Sequence, residues 1–266
     1  MILRLHNDET DILTPYVLEL VNDSIVSFSE RYAFELQEPV VAELYPVAAD
    51  FSVRTAGLPG IGLLGVTFGY LVAMNSPPPG LNGEFHWGTT LWHEIAHVFT
   101  LEATDHLVPR WFSEGVSVYE EWTTGPLPGR HIPMHVLQAA AEDKFLGIAD
   151  LDSGFIRPTY EGQVMVSYMQ AGLICQYIER RWGQSAFVAM LEQDPTAEEI
   201  RVLLAEALLP HEPSAVIETL APIIAEVEVD DVVRARWLER LWQAVEEDAI
   251  PYIELLPDYW GELCAT

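Results

Sequence analysis

The chain is predicted to fold as an α+β protein, with strands near its start and helices over most of the rest. Two short runs of β-forming residues, at 2–6 and 40–45, lie on either side of a stretch with helical periodicity at 11–36. From residue 89 onward, apolar residues recur almost entirely at helical spacing. Of the 266 residues, 50% are hydrophobic and 11% aromatic, so the chain can bury a sizeable core.

The N-terminal part, about residues 1–80, is expected to form an α/β wall of the fold. Residues 47–56 are compatible with either a short helix or a loop. After a glycine-rich connection, the β-rich run at 66–74 predicts a strand, which Ser76-Pro77-Pro78-Pro79-Gly80 ends in a surface loop. We expect this strand to lie at the edge of the sheet, where its backbone would be open to a partner.

The central part, about residues 81–190, is predicted to be helical and to carry the functional residues. Its expected helices cover about 89–101, 110–122, 134–145 and 160–182, with a loop at 150–158 and Gly183 after the last helix. The remaining stretch, about residues 191–266, is expected to be an acidic helical tail. Amphipathic helices are predicted at 185–208, 213–226 and 230–248.

The charge balance is strongly acidic, with 13 Lys and Arg against 41 Asp and Glu and a formal net charge of −28. A protein of this charge repels nucleic acids and anionic membrane surfaces, so neither is an expected partner. Two interpretations of the acidity stay open. It either keeps the protein soluble, or provides a surface for basic partners or for life at high salt.

Cysteine content and hydropathy indicate neither a disulfide framework nor a membrane span. Cys175 lies in an apolar helical stretch and is expected to be a buried free thiol, whereas Cys264 has no paired motif. No apolar run reaches the roughly 18–20 residues that cross a bilayer. The first residues do not resemble a signal peptide. A cytoplasmic location is expected if Met1 is the natural start, and a cell-envelope location is open if the chain is an excised domain.

The pattern H-E-x-x-H at His93-Glu94-Ile95-Ala96-His97 is the strongest indication of chemistry. On a helix, positions i and i+4 share one face, so both imidazoles can bind one metal ion. Glu94 then lies next to the open coordination position and can take a proton from a water molecule there. The predicted helix is otherwise almost entirely apolar, so it should be buried on most sides.

A catalytic zinc site needs a third protein ligand, and Glu114 is the candidate. It lies in Trp111-Phe112-Ser113-Glu114-Gly115, after a gap long enough for a turn and a returning helix. We expect Gly115 to let this helix approach the histidine helix closely. Two neutral imidazoles and one carboxylate would hold one Zn²⁺ per chain. Glu121, two turns after Glu114, is predicted to support a ligand histidine from behind.

These two blocks, with the tyrosine-containing segment Tyr168-Met169-Gln170-Ala171, resemble known enzymes. The match is to the peptidase MA-like gluzincin metallopeptidases and, more distantly, to the aminopeptidase-N-like enzymes, in which Asn occupies the position of Ser113. The resemblance covers about residues 60–185 and implies a zincin-like fold and a zinc-dependent peptidase. It further implies that Tyr168 stabilises the oxyanion, although Gln170 and Ala171 depart from the lysine and glycine of that pattern.

The same resemblance bears on the substrate. Related aminopeptidases bind the free amine of their substrate through a glutamate on the strand before the zinc helix, whereas this chain has Ala73-Met74-Asn75 there. An endopeptidase is therefore favoured, with Ala73 and Met74 predicted to pair with an extended peptide or protein substrate. Arg157 is a weaker candidate for binding a substrate carboxylate.

Alternatives remain at two points. Tyr160 or Tyr119 could replace Tyr168 in the site, or all three tyrosines could be structural. The chain as a whole could also be a non-catalytic, zinc-containing module that binds peptides or partners, within a larger protein such as one with tetratricopeptide-type repeats. The intact Glu94 argues against that second function, because a purely structural zinc site does not need a general base.

Overall fold

The computed structural model describes residues 1–58, 63–77, 86–129, 132–142 and 144–192. Its fold is mixed α/β and mostly helical, as predicted. The strands are β1 (Ile2–Arg4), β2 (Val41–Tyr45), β3 (Gly65–Phe68) and β4 (Leu71–Asn75). The helices are α1 (Thr10–Tyr32), α2 (Ala48–Ala56), α3 (Trp87–Glu102), α4 (Arg110–Thr123), α5 (Met134–Ala141), α6 (Leu151–Ile156), α7 (Gln163–Trp182) and α8 (Ser185–Glu192).

The predicted tail lies almost entirely outside the described residues. The expected helices at 213–226 and 230–248, and the part of 185–208 that follows Glu192, belong to that stretch, as does Cys264. The domain boundaries near residues 80 and 190 stay predictions. Within the described ranges, none of the helices combines the length and the apolar character needed to span a membrane.

The four strands form one mixed sheet in the order β1-β2-β4-β3. β2 runs parallel to both β1 and β4, whereas β3 is antiparallel to β4. The prediction of a single strand over residues 66–74 is wrong, because the chain reverses at Gly69 and Tyr70. Gly69 has a φ of 56°, a left-handed conformation that glycine adopts without steric cost. β3 is therefore an edge strand, and β4 is internal.

Helix α3 runs through the middle of the core and is buried on most sides, as predicted. Its first turn is capped by His86, whose Nδ1 accepts a hydrogen bond from the backbone N–H of Thr89 at 3.2 Å. Helix α1 packs against it through Phe28, whose ring lies 5.3 Å from that of Trp92 and 5.6 Å from that of Phe99. This packing fixes the helix that carries the H-E-x-x-H pattern.

Helices α4 and α7 pack closely because a glycine on each faces the other helix. A Cβ at Gly115 would lie 2.6 Å from the backbone oxygen of Ala171, and a Cβ at Gly172 would lie 2.7 Å from the side chain of Val118. The prediction that Gly115 serves the approach to the histidine helix is therefore wrong. Gly115 faces α7, and the sequence neighbour Glu114 projects from a different side of α4.

The start of α4 is capped by a residue that lies far along the chain. Its first residues follow Pro109, which has no side chain able to cap a helix. Instead, Asp152 of α6 accepts a hydrogen bond from the backbone N–H of Trp111 at 2.8 Å. A carboxylate at this end also interacts favourably with the helix dipole. The loop predicted at 150–158 is therefore wrong over 151–156, where a short helix presents this carboxylate.

The far end of α4 is tied to α1 by the fully buried Glu120. Its carboxylate accepts hydrogen bonds from the Nε of Arg31 at 2.9 Å and from the hydroxyl of Tyr32 at 2.5 Å. Thr124 donates a third at 2.5 Å, so the buried charge is well satisfied. Burial without such partners would be costly, so this arrangement fixes the helix turn from which Glu121 projects.

Cys175 of α7 is a buried free thiol, as predicted. Desolvation, with a smaller effect of the Glu120 charge, raises the pKa of this thiol well above its usual range. The neutral thiol is a poor nucleophile and a poor metal ligand. Its Sγ would lie 2.9 Å from a Cβ at position 115, so Cys175 acts as a small apolar side chain at the contact between α4 and α7.

Replacing Gly115 with alanine should destabilise the protein. Alanine favours a helix over glycine by about 1 kcal/mol, but overpacking typically costs about 1–3 kcal/mol, and here the obstacle is backbone that cannot rotate away. The difference is a net loss of up to about 2 kcal/mol in the free energy of unfolding, and we expect a value toward that upper end, measured by denaturant titration. Gly147→Ala is the control, because nothing lies within 4 Å of its Cβ. Equal stability of the two variants would contradict this packing.

Candidate metal centre and active site

The side chains of His93 and His97 project from one face of α3, as their spacing requires. Their rings lie at 77° to each other with centroids 4.7 Å apart, and their Nε2 atoms are 3.0 Å apart. Both imidazoles are largely withdrawn from solvent. Two nitrogen lone pairs this close together and shielded from water repel each other unless a proton or a metal cation lies between them.

Glu114 completes a set of three ligand atoms. Its Oε2 lies 3.0 Å from the Nε2 of His97 and 3.3 Å from the Nε2 of His93. The three atoms all lie within 4.8 Å of one another, and in the described part of the chain this is the one group of at least three His, Cys, Asp or Glu residues so arranged. The structure thus brings together the three residues that the sequence predicts as ligands.

The outer nitrogen of each histidine is engaged by a different residue of α4. The Nδ1 of His93 lies 2.5 Å from Oε1 of Glu121, and the Nδ1 of His97 lies 2.8 Å from the Oγ of Ser113. Partners of this kind fix the tautomer in which Nδ1 carries the proton and Nε2 presents its lone pair. The donor set therefore fits a divalent metal ion: two imidazole Nε2 atoms and one carboxylate, all directed at one point.

Ser113 is itself held in place by Thr100, a residue that sequence reasoning missed. The two hydroxyl oxygens are 2.7 Å apart, and the Thr100 hydroxyl also donates to the backbone oxygen of His97 at 3.2 Å. Hydrogen bonds can then run in one direction from His97 to Ser113 to Thr100 and back to the α3 backbone. Thr100 lies one turn beyond His97 on α3, and this spacing could have identified it from the sequence as a neighbour of the histidine.

The charges at the centre are strongly coupled. Burial alone would lower the pKa of His93, but hydrogen bonds to Glu114 and Glu121 outweigh it and hold that pKa well above its usual range. Burial alone would raise the pKa of Glu114, but the His97 charge and hydrogen bonds from both histidines hold it well below its usual range. Glu114 is thus ionised, as a metal ligand must be, and the carboxylates around His93 favour a positive charge at this position.

Arg110 is a second residue of the site that sequence reasoning missed. One of its terminal nitrogens lies 3.1 Å from Oε1 of Glu114, the carboxylate oxygen that does not face the histidines. Its guanidinium also lies over the ring of Phe155 at 5.8 Å and favours the ionised form of Tyr168. Arg110 begins α4, one turn before Glu114, so this pair was recognisable as an i, i+4 pair of opposite charge.

The side chain of Glu94 lies against strand β3 and is not among the three converging residues. The hydroxyl of Thr67 donates to its Oε2 at 2.6 Å and lies 3.0 Å from its backbone oxygen. A Cβ at Gly65 would lie 2.6 Å from Oε1 of Glu94, so only glycine leaves room for the carboxylate. Neither contact was anticipated, because both join segments that are distant in sequence.

Tyr168 lies beside the centre, whereas the two alternative tyrosines do not contact it in the described part of the chain. Its ring centroid is 6.1 Å from that of His93 and 5.0 Å from that of Phe155. Burial and the charges of Glu114 and Glu94 raise its pKa, so its hydroxyl stays protonated and can donate. The Tyr119 hydroxyl donates to Glu179, and Tyr160 packs its ring against Lys144.

Ala73 and Met74 do not lie at an edge of the sheet. Ala73 is paired with Glu43 of β2 on one side and with Val66 of β3 on the other, and both predicted residues are almost completely buried. The prediction that they lie on an edge strand is therefore wrong, because β4 has neighbours on both sides, and their role in binding a substrate stays a prediction. The exposed Arg157 follows the last residue of α6, and its role stays a prediction.

Comparison with known proteins identifies one family. A model described as the peptidase MA superfamily matches residues 62–200, which include both histidines, Glu114 and Tyr168. Neither the curated proteins nor the solved structures contain a match to this chain. The matched range begins just before β3 and thus includes the edge strand that contacts Glu94, together with α3, α4 and α7.

Proposed function

The chain belongs to the peptidase MA superfamily, and from this premise we propose that it is a zinc-dependent metallopeptidase that cleaves internal peptide bonds. The observation that carries the proposal is the convergence of His93 Nε2, His97 Nε2 and Glu114 Oε2, with the outer nitrogen of each histidine engaged elsewhere. Two imidazoles and one carboxylate form the ligand set of a gluzincin. Their support on two helices beside a small sheet is consistent with a zincin-like fold.

A zinc ion bound by these three residues would supply a Lewis acid that polarises the scissile carbonyl and makes water a stronger acid. The other steps of the proposed reaction are assigned to residues of the chain. Glu94 is not one of the converging ligands, so its carboxylate is free to accept a proton from the attacking water and to deliver it to the leaving amine. Glu121 and Ser113 keep the ligand histidines in the required tautomer and orientation.

Tyr168 is the residue proposed to stabilise the oxyanion. Its raised pKa keeps the phenolic proton in place at neutral pH, and its ring lies next to His93. A preorganised donor at this position is most useful when negative charge develops on the carbonyl oxygen. Arg110 supports the same site, because its positive charge interacts with both Tyr168 and the outer oxygen of Glu114.

The edge strand β3 is proposed to bind the substrate. It pairs with β4 on one side, and within the described ranges no strand pairs with its other side. An extended peptide can add to such an edge through main-chain hydrogen bonds, which are largely independent of sequence. Because Met74 and Asn75 occupy the position at which related aminopeptidases have a glutamate, the chain has no acidic group there for a free amine. Both points favour cleavage within a peptide.

Digestion of an unbiased peptide library tests this function. We expect the zinc-loaded protein to cleave internal bonds, a chelator to abolish cleavage, and added zinc to restore it. The products should have new termini within the library sequences rather than single residues removed from the ends. If zinc-loaded protein cleaves nothing at any pH from 6 to 9, the proposal fails and a zinc-containing binding module becomes the better interpretation.

A further inference from the structure

The side chain of Glu94 is held by an element outside its own helix. Thr67 and Gly65 lie two residues apart on β3 and therefore project toward the same side of the sheet, where α3 packs. Thr67 donates to Oε2 of Glu94 at 2.6 Å, the length of a hydrogen bond between a hydroxyl and an ionised carboxylate. The same hydroxyl is 3.0 Å from the Glu94 backbone oxygen, so it contacts both ends of that residue.

Gly65 makes this arrangement possible. Three atoms of the Glu94 side chain lie within 2.8 Å of where a Cβ at position 65 would stand. A side chain at position 65 would therefore require the Glu94 side chain to shift from its present position. The side chain of Glu94 is also buried, with the residue only 6% exposed, so water competes little for its oxygen atoms. One strand thus supplies both the hydrogen bond and the space that define the position of the carboxylate.

We propose that Thr67 is a positioning residue for Glu94, and that β3 sets the place of the general base through Thr67 and Gly65. This inference rests on the proposed function, in which Glu94 accepts the proton. One carboxylate has to face water in the first half of the reaction and the leaving amine in the second. A single donor on one oxygen restricts rotation of the carboxylate and leaves its other oxygen available.

The position of β3 gives this contact a further consequence. The strand that holds Glu94 is also the edge strand proposed to bind an extended peptide. A peptide that pairs with β3 would therefore lie along the same strand that holds the carboxylate of Glu94. Binding of the substrate backbone and placement of the proton acceptor are thus coupled through four consecutive residues, Gly65–Phe68.

The test is substitution of Thr67 by valine and by serine. Valine keeps the shape and removes the donor, so we expect kcat to fall about 10- to 100-fold, as for loss of a supporting residue, with KM and zinc content nearly unchanged. Serine retains the hydroxyl and should restore most of kcat. Thr55→Val is the matched control, because the Thr55 hydroxyl donates only to the Phe51 backbone oxygen of its own helix in the described contacts.

A second measurement does not depend on turnover. In metal-free protein, Thr67→Val leaves the buried Glu94 carboxylate without its donor, so it should lower the Tm by a few degrees. In a Glu94→Ala background the same substitution should lower the Tm by less, because the carboxylate is absent and only the contact of Thr67 with the backbone oxygen of residue 94 remains to be lost.

The outcomes separate the two proposals. If zinc-loaded wild-type protein cleaves peptides and Thr67→Val retains full kcat, or if serine is no better than valine, the positioning role of Thr67 is wrong while the function stands. If the wild type cleaves nothing, the proposed function fails. The comparison of the Tm losses in the wild-type and Glu94→Ala backgrounds then decides alone whether Thr67 and Glu94 are coupled. Equal Tm losses in both backgrounds would exclude that coupling.

Discussion

Replacing Glu94 with glutamine should abolish peptide hydrolysis while zinc remains bound. Glutamine has the shape of glutamate and can still accept the hydrogen bond from Thr67 through its amide oxygen, but it cannot accept a proton at neutral pH. Loss of a general base typically lowers kcat about 10²- to 10⁴-fold, and we expect a value toward the upper end because the same carboxylate serves both proton transfers. Zinc content should stay at one per chain, since Glu94 is not among the converging ligands.

Glu102→Gln provides the control for this substitution. Glu102 lies on the same helix, pairs with the exposed His106 at 3.3 Å and is not among the converging residues. The control variant should retain wild-type kcat, which separates the loss of a base from the loss of one negative charge on α3. A Glu94→Gln variant that kept more than about a tenth of wild-type kcat would contradict the role of Glu94, given the usual size of this effect.

Replacing Glu114 with glutamine should weaken zinc binding by at least about 100-fold. Residues that merely support a ligand change metal affinity about 10- to 100-fold, and Glu114 is proposed as a ligand itself and supplies the only negative charge among the three converging residues. Competition with a chromophoric chelator measures the affinity. Glu142→Gln is the control, because Glu142 pairs with Lys144 and is not among the three converging residues. Equal zinc affinity in wild type and Glu114→Gln would exclude Glu114 as a ligand.

The same substitution should also change the stability of the metal-free protein in a pH-dependent way. The pKa of Glu114 is lower in the folded than in the unfolded chain, so its interactions stabilise the fold above the unfolded pKa, near 4.5, and this contribution is lost as pH falls through the folded pKa. At pH 7 the variant should lose about 1.5–3 kcal/mol, the usual contribution of hydrogen bonds to a charged group. The difference between variant and wild type should shrink as the pH is lowered below 4.

The part of the site that follows from local geometry could be predicted from the sequence. The spacing of His93 and His97 places both on one face of any helix, and the apolar residues around them indicate that the helix is buried. Predicting Glu114 as the third ligand needs one more assumption, namely that the chain turns back after α3. That assumption is reasonable because Pro109 marks a helix start shortly before it.

The parts that depend on which elements are neighbours could not be predicted. Gly115 indicates that α4 packs closely against another helix, but the amino-acid sequence does not say whether that helix is α3 or α7. Thr67 and Gly65 contact Glu94 only because the sheet places β3 beside α3, and periodicity carries no information on that contact. The hairpin was missed for a different reason. Its strands read as one continuous β-rich run, and only Gly69 interrupts it.

The two glycines between α4 and α7 set the distance between the helices that carry Glu114 and Tyr168. Glu114 precedes Gly115 directly, and Tyr168 lies one turn before Gly172, so the two glycines set how far the proposed metal ligand stands from the proposed oxyanion donor. A methyl group at position 115 would meet the backbone of α7, and one at position 172 would meet Val118 and Trp122 of α4, so either would alter the spacing of the two helices. Positions 115 and 172 therefore determine the dimensions of the proposed site without contributing a side chain to it.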